Sequence, residues 1–321
     1  TASPVIADID CDNFNEILLG TSTSFTVLES NLTKIDKMSK TIVNVWGIAV
    51  SEDRGMIFIN DYYGNIYSYD FSGNARAGFP FKTAQITLTP LILTDIDCNM
   101  TLDIVIGTAG AKLFVIDENG KLRSGFPYTC LAGIYHTPRL FDIGNDHNIE
   151  IIFSDISGNL YVMNNSGTRV SYLYTGEPTN TYNEILIYDY NGDMKEDFVF
   201  VMRSGKIAVY NQQLSPLYTR FVKLENIVTS CPAAIDFRGD MKPSLIIRDY
   251  AGQLYKINSY TTNSEVGKIS FSKTLYDTRN TSFVSGFLLH SENEDTLKPT
   301  KAFKNTVSIK NSIEKNSISF S

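Results

Sequence analysis

Asp95-Ile96-Asp97-Cys98-Asn99-Met100-Thr101-Leu102-Asp103 places oxygen-bearing side chains at its first, third, fifth and ninth positions, and Ile104-Val105-Ile106-Gly107 follows at once as an apolar, β-branched run. A tightly coiled loop turns alternate side chains inward, and calcium takes six to eight oxygen ligands at about 2.3–2.6 Å. The expectation is a calcium loop with side chains from Asp95, Asp97, Asn99 and Asp103 and a backbone carbonyl from Thr101. An EF-hand needs Gly at the sixth and Glu at the twelfth position, with helices on both flanks; here those positions hold Met100 and Ile106. Leu91-Ile92-Leu93 and Ile104-Val105-Ile106 read as strands, so the loop closes a hairpin.

The pattern recurs. Asp8, Asp10, Asp12 and Glu16, with the Phe14 carbonyl, form one further set, and Asp189, Asn191, Asp193 and Asp197, with the Lys195 carbonyl, form another. A weaker fourth candidate has Asp142, Asp146 and Glu150, with Gly144 at the third position. Asp95, Asp142, Asp189 and Asp236 are spaced by 47, as are Gly158, Gly205 and Gly252, and the Gly-Phe-Pro triplets at Gly78 and Gly125. A fixed period of this length signals a solenoid, a propeller or an array. Within one period the order is strand, acidic loop, strand, Gly turn, strand, Asn/Asp-Gly turn, fourth strand. Four antiparallel strands in this span make one propeller blade.

The Pro4-x-x-x-Asp8-x-Asp10-x-Asp12 lead, the strand ending in Gly after each loop and the later Asp/Asn-x-x-Gly resemble the FG-GAP repeat family, which includes the integrin-alpha β-propeller and bacterial VCBS-type repeats. The resemblance covers roughly residues 1–275. It implies an all-β propeller with calcium-binding loops between the first two strands of several blades, and a role in adhesion. Blades are expected at about 1–40, 41–87, 88–134, 135–181, 182–228 and 229–275, six in view within a ring of six to eight. A closing strand near 283–290 completes a domain of residues 1–290. Residues 291–321 read as a polar linker and the start of a small C-terminal β module.

Blade two shortens its loop to Ser51-Glu52-Asp53-Arg54-Gly55, and Arg54 is expected to replace the ion. In blade six Arg238 is expected to pair with Asp236 or Asp240, so neither blade is expected to hold calcium. The net charge of −7 argues against nucleic acid, which needs a basic face. No run approaches the 18 apolar residues of a membrane-spanning helix. The chain starts at Thr1, which suggests a mature product or part of a longer multidomain protein. The four cysteines show no pairing pattern and are expected to be free. Calcium loops of moderate affinity fill where calcium is millimolar, which points outside the cell or to its surface.

His136, His147 and His290 form no spaced metal motif, and no nucleophile elbow or phosphate loop occurs. His136 is expected at the surface. The paired carboxylates recur with the blades and so serve the blades, whereas a glycosidase pair occurs once. The reading is a secreted, non-catalytic binding module for a protein or carbohydrate, recognised on the face away from the calcium loops. The alternatives are a spacer domain of a larger secreted hydrolase, or a propeller lyase or phosphatase.

Overall fold

The computed structural model describes residues 2–144, 146–179, 185–217, 222–236 and 243–258. These form six antiparallel sheets, with no helix among the described residues. Blade one is β1 (Val5–Ala7), β2 (Glu16–Gly20) and β3 (Phe25–Leu28). Blade two is β4 (Val45–Ser51), β5 (Met56–Asp61), β6 (Asn65–Asp70) and β7 (Phe81–Lys82). Blade three is β8 (Ile92–Thr94), β9 (Asp103–Gly107), β10 (Lys112–Asp117) and β11 (Tyr128–Thr129). Blade four is β12 (Arg139–Phe141), β13 (Glu150–Ser154), β14 (Asn159–Met163) and β15 (Arg169–Tyr174). Blade five is β16 (Leu186–Tyr188), β17 (Asp197–Val201), β18 (Lys206–Tyr210) and β19 (Val222–Lys223). Blade six is β20 (Ala233–Ile235), β21 (Ser244–Arg248) and β22 (Leu254–Asn258). Strands pair in chain order in every sheet, so each is an up-and-down meander and the whole is a β-propeller.

Blade one has three strands where four were expected. The stretch after Leu28 is largely polar, and its backbone pairs with β3 at the isolated bridges Leu28–Lys34 and Phe25–Lys40 rather than as a continuous strand. Blade six shows three strands among the described residues. The expected closing strand at 283–290, the module at 291–321, and Arg238 and Asp240 of blade six lie outside the described residues.

The second strand of blades three, four and five is buried throughout, with an apolar run on both of its faces. In β9, Ile104 and Ile106 face a core shared with Phe58 of blade two. Val105, pointing the other way, packs with Ile151 and Phe153 of blade four. The alternation repeats in β17, where Phe198 and Phe200 pack with Leu160 of blade four and Val199 and Val201 with Leu245 of blade six. A two-residue period thus divides one strand between two interfaces. At about 25 cal/mol per Å² of apolar surface removed from water, these faces are the main source of stability.

Between blades, the Gly-Phe-Pro turns touch backbone to backbone. Gly125 has φ +83°, and a Cβ there would stand 2.1 Å from the Ser166 carbonyl oxygen. Only glycine meets both demands. Phe126 then fills the core between blades three and four.

All the acidic loops join first and second strands and lie on one face; the turns joining second and third strands lie on the other. That second face holds a regularity absent from the sequence reading. Asp61, Asp155 and Asp249, one in every second blade, accept hydrogen bonds from the hydroxyls of Tyr67, Tyr161 and Tyr255 at 3.3, 3.0 and 3.0 Å.

Candidate metal centre

Four acidic loops fold by one scheme of hydrogen bonds. The first-position carboxylate accepts from amides ahead of it: Asp8 from Asn13 (3.0 Å), Asp95 from Met100 (2.6 Å), Asp142 from His147 (2.9 Å) and Asp189 from Met194 (2.8 Å). The fifth position accepts from the seventh amide, Asp12 from Phe14 and Asn99 from Thr101 at 2.8 Å each, Asp146 from Asn148 and Asp193 from Lys195 at 2.9 Å each. The ninth accepts from the second amide, Glu16 from Ile9 and Glu150 from Ile143 at 2.8 Å each, Asp103 from Ile96 at 3.2 Å and Asp197 from Tyr190 at 3.0 Å. Asn13, Met100, His147 and Met194 sit at the sixth position with φ between 65° and 70°. Left-handed backbone is costly for Met100 and Met194 and easier for Asn13 and His147, and these bonds hold the coil in all four.

In blade one, Asp8, Asp10 and Asp12 bring carboxylate oxygens within 4.8 Å of one another. Glu16 closes the loop fully buried, and its Oε1 has no hydrogen-bond partner. Burial, with the charges of Asp10, Glu29 and Asp12 behind it, pushes the Glu16 carboxyl up to about 7 against the opposing Ile9 hydrogen bond. A buried carboxylate with an idle oxygen beside three others lacks a counter-charge, and a hard cation fits that demand.

Blade three gathers Asp95, Asp97 and Asp103 equally closely, but a cation from the chain already stands there. Arg123 donates from Nε to Asp103 Oδ1 at 2.5 Å and from Nη2 to Asp103 Oδ2 at 2.8 Å. Its Nη1 reaches Asp97 Oδ2 at 2.7 Å. Burial raises the Asp103 carboxyl to about 6, with Arg123 holding it from rising further. The sequence signal for this arginine is positional. Arg123 follows the Ile116–Leu122 bridge as Arg76 follows the matching Tyr69–Ala75 bridge of blade two, whereas Leu28–Lys34 and Tyr210–Pro216 are followed by Ile35 and Leu217. Blades one and five therefore have an apolar side chain where blade three has a guanidinium.

In blade five burial and then Asp193 and Asp189 push the Asp197 carboxyl up to about 7. The Asn191 amide donates to Asp193 at 3.2 Å. In blade four burial, followed by Asp146 and Asp142, takes Glu150 to about 7. Among the described residues, neither blade gathers three acidic side chains within 4.8 Å. In blade two Arg54 does not fill its own loop, as the sequence suggested; it reaches across to the Met100 carbonyl and lies 3.5 Å from Glu118 of blade three. The loop it leaves is too short to fold back on, and Ser51 closes it by donating to Asp53 at 2.7 Å.

None of the four cysteines forms a disulfide. His147 is exposed beside its loop. His136, expected at the surface, is buried at 3% exposure. The Thr179 hydroxyl donates to the Asp155 carbonyl, so His136 Nε2 donates to Thr179 at 2.9 Å and its buried Nδ1 has no partner. Burial holds this imidazole down at about 4, from 6.5. It is neutral when folded and takes a proton on unfolding, so its contribution is complete above pH 6.5 and is lost as pH falls toward 4. The loss is on the order of 3 kcal/mol. Urea unfolding at pH 7 and pH 5 should show a smaller difference for His136→Gln than for the parent chain; equal differences contradict the assignment.

No family model and no curated protein matches the sequence. Among solved structures, the chain is similar to BBS1N crystallised in complex with ARL6DN, in one crystal soaked with mercury and another soaked with lead. The TM-scores are 0.52 and 0.55, at 13% identity, covering 82% of this chain and 79% of that one. At such identity the likeness shows the β-propeller fold alone.

Proposed function

We propose that this chain is a calcium-stabilised recognition propeller of the FG-GAP and VCBS repeat type. It acts outside the cell or at its surface, as one module of a longer protein, and binds a protein or carbohydrate without transforming it. The observation carrying the metal half is Glu16, a fully buried carboxylate whose Oε1 has no partner, beside three clustered aspartates. In blade one Asp8, Asp10, Asp12, Glu16 and the Phe14 carbonyl would hold the ion. In blade five Asp189, Asn191, Asp193, Asp197 and the Lys195 carbonyl would do so. Blade three, with Asp95, Asp97, Asn99, Asp103 and the Thr101 carbonyl, takes calcium only by displacing Arg123, and Asp142, Asp146 and Glu150 of blade four form the weak fourth site. The ion supplies the positive charge these carboxylates lack.

Millimolar calcium outside cells supports that location. The recognition half is supported by the fold, since the BBS1N propeller was crystallised with a partner. The test is an array of glycans and extracellular-matrix proteins probed in millimolar calcium and in chelator. Selective binding lost in chelator is expected. No binding in either buffer, with the fold intact, contradicts the reading and favours a spacer in a larger secreted hydrolase.

A further inference from the structure

On the face opposite the acidic loops, blades one and two enclose a cavity of about 230 Å³ lined by Thr21, Ser22, Asn44, Val45, Trp46 and Tyr62. Main-chain bonds fix its walls. The Asn44 amide donates to the Ser22 carbonyl at 2.9 Å, the Val45 amide to Thr21 at 3.0 Å and the Tyr62 amide to the Asn44 carbonyl at 2.8 Å. Asn44 turns the chain at φ +54°, a left-handed conformation that asparagine adopts readily.

Trp46 is the only tryptophan in the chain. It is the extra residue of a β-bulge: Val45 pairs with Asp61 and Gly47 with Asn60, leaving Trp46 unmatched. Bulges re-aim side chains and are over-represented beside functional sites. The short loop shifts the first strand of blade two by four residues, so Val50, paired with Ile57, holds the buried core place that Leu93, paired with Ile104, holds in blade three. Trp46 lies four residues before that core place and is only half-buried. Trp46 instead stands 5.9 Å from the Tyr62 ring, which meets Tyr63 edge-on at 5.5 Å.

No lining residue is charged, and an ion brought into this cavity would lose water without gaining a counter-charge. The aromatic faces carry negative quadrupole charge that attracts polarised C–H groups, and the hydroxyls and amide beside them both donate and accept. A pyranose presents that combination, an apolar C–H face with a rim of hydroxyls. The cavity lies below the roughly 300–1,000 Å³ typical of sites for drug-sized ligands, which suits one ring. We infer that this cavity binds a single neutral saccharide ring stacked against Trp46 and Tyr62. The inference rests on the recognition reading above and gives it a ligand class and a place.

The sole tryptophan provides the readout. Indole fluorescence of the intact chain, excited selectively, is followed while neutral mono- and oligosaccharides are added in calcium, with acrylamide quenching as a second signal. A glycoprotein before and after enzymatic removal of its glycans separates free sugar from displayed glycan, and unglycosylated peptides form the third arm. A saturable shift with protection from quenching is expected for saccharides. It should weaken about tenfold in Tyr62→Leu, the equivalent of about 1.4 kcal/mol, and saccharide binding should be lost to calorimetry in Trp46→Ala of unchanged circular dichroism. Should Trp46→Ala fail to fold, the Tyr62→Leu titration decides alone, and unchanged affinity there overturns the inference. Response to unglycosylated peptides alone overturns the saccharide. Calorimetric saccharide binding without an indole response overturns the place and leaves the recognition reading standing, whereas no binding to any probe removes both.

Discussion

Chelating calcium is expected to lower the melting temperature by on the order of 10–20 °C. An ion that binds the folded loops and not the unfolded chain stabilises by RT ln(1 + [L]/Kd), about 2.7 kcal/mol per site at a hundredfold excess over Kd. Two unobstructed sites, in blades one and five, give about 5 kcal/mol, and each kcal/mol moves the midpoint of a domain this large by about 2–4 °C. Scanning calorimetry in calcium, in magnesium and in chelator measures it. Equal midpoints in all three would sink the metal assignment. The blade-one loop should account for much of the shift, since Glu16 is fully buried with an idle oxygen, so Glu16→Gln should remove about half of it.

The second large effect changes sign with the buffer. Arg123→Gln in chelator leaves Asp97 and the fully buried Asp103 without their guanidinium. Removing one partner of a buried pair typically costs about 3–5 kcal/mol. With Arg123 partly exposed, about 3 kcal/mol is expected. In calcium the same variant should recover, because the ion enters the place that the arginine held and restores the charge. The parent chain should therefore be more stable than the variant in chelator and close to it in calcium, with the blade-three site at least tenfold tighter in the variant, as expected when about 1.4 kcal/mol of competition is lifted. A variant destabilised equally in both buffers would show Arg123 to be a structural ion-pair partner and no competitor.

Much of the architecture could be read from the sequence because a blade is a repeat and its loop is a chemical signature. The 47-residue spacing of Asp95, Asp142 and Asp189 is long enough for four strands and too regular to arise without stacked units. The uniform strands β9, β13 and β17 follow from the same fact, since a strand covered on both sides has no polar face to alternate. Blade one departs because strand formation at a blade's outer edge depends on alternation that the polar residues after Leu28 do not offer.

What the sequence hid was long-range. Arg123 lies 20 residues beyond Asp103 and 26 beyond Asp97, so a reading that scores each nonapeptide alone finds the blade-three loop complete. Aligning blades by their outer bridges sets Arg123 with Arg76 of blade two and against Ile35 and Leu217, and in blade three that arginine meets a full acidic loop. Arg54 misled in the reverse direction, standing in the short loop by sequence but reaching into the next blade in space. His136 looked external because it precedes Thr137 and Pro138 at a turn. Its Nε2 instead finds Thr179, 43 residues away, a contact set by blade packing. The Trp46 bulge is likewise a matter of register between β4 and β5, to which composition is blind.

The central claim is that the acidic loops are cation sites graded by what else the chain places in them. A calorimetric titration of the purified chain with calcium tests it most directly. The account predicts two tight events, both lost in the Glu16→Gln, Asp197→Asn double variant, and a third, weaker one that tightens in Arg123→Gln. An absence of saturable uptake at millimolar calcium, or uptake unchanged in the double variant, would contradict it.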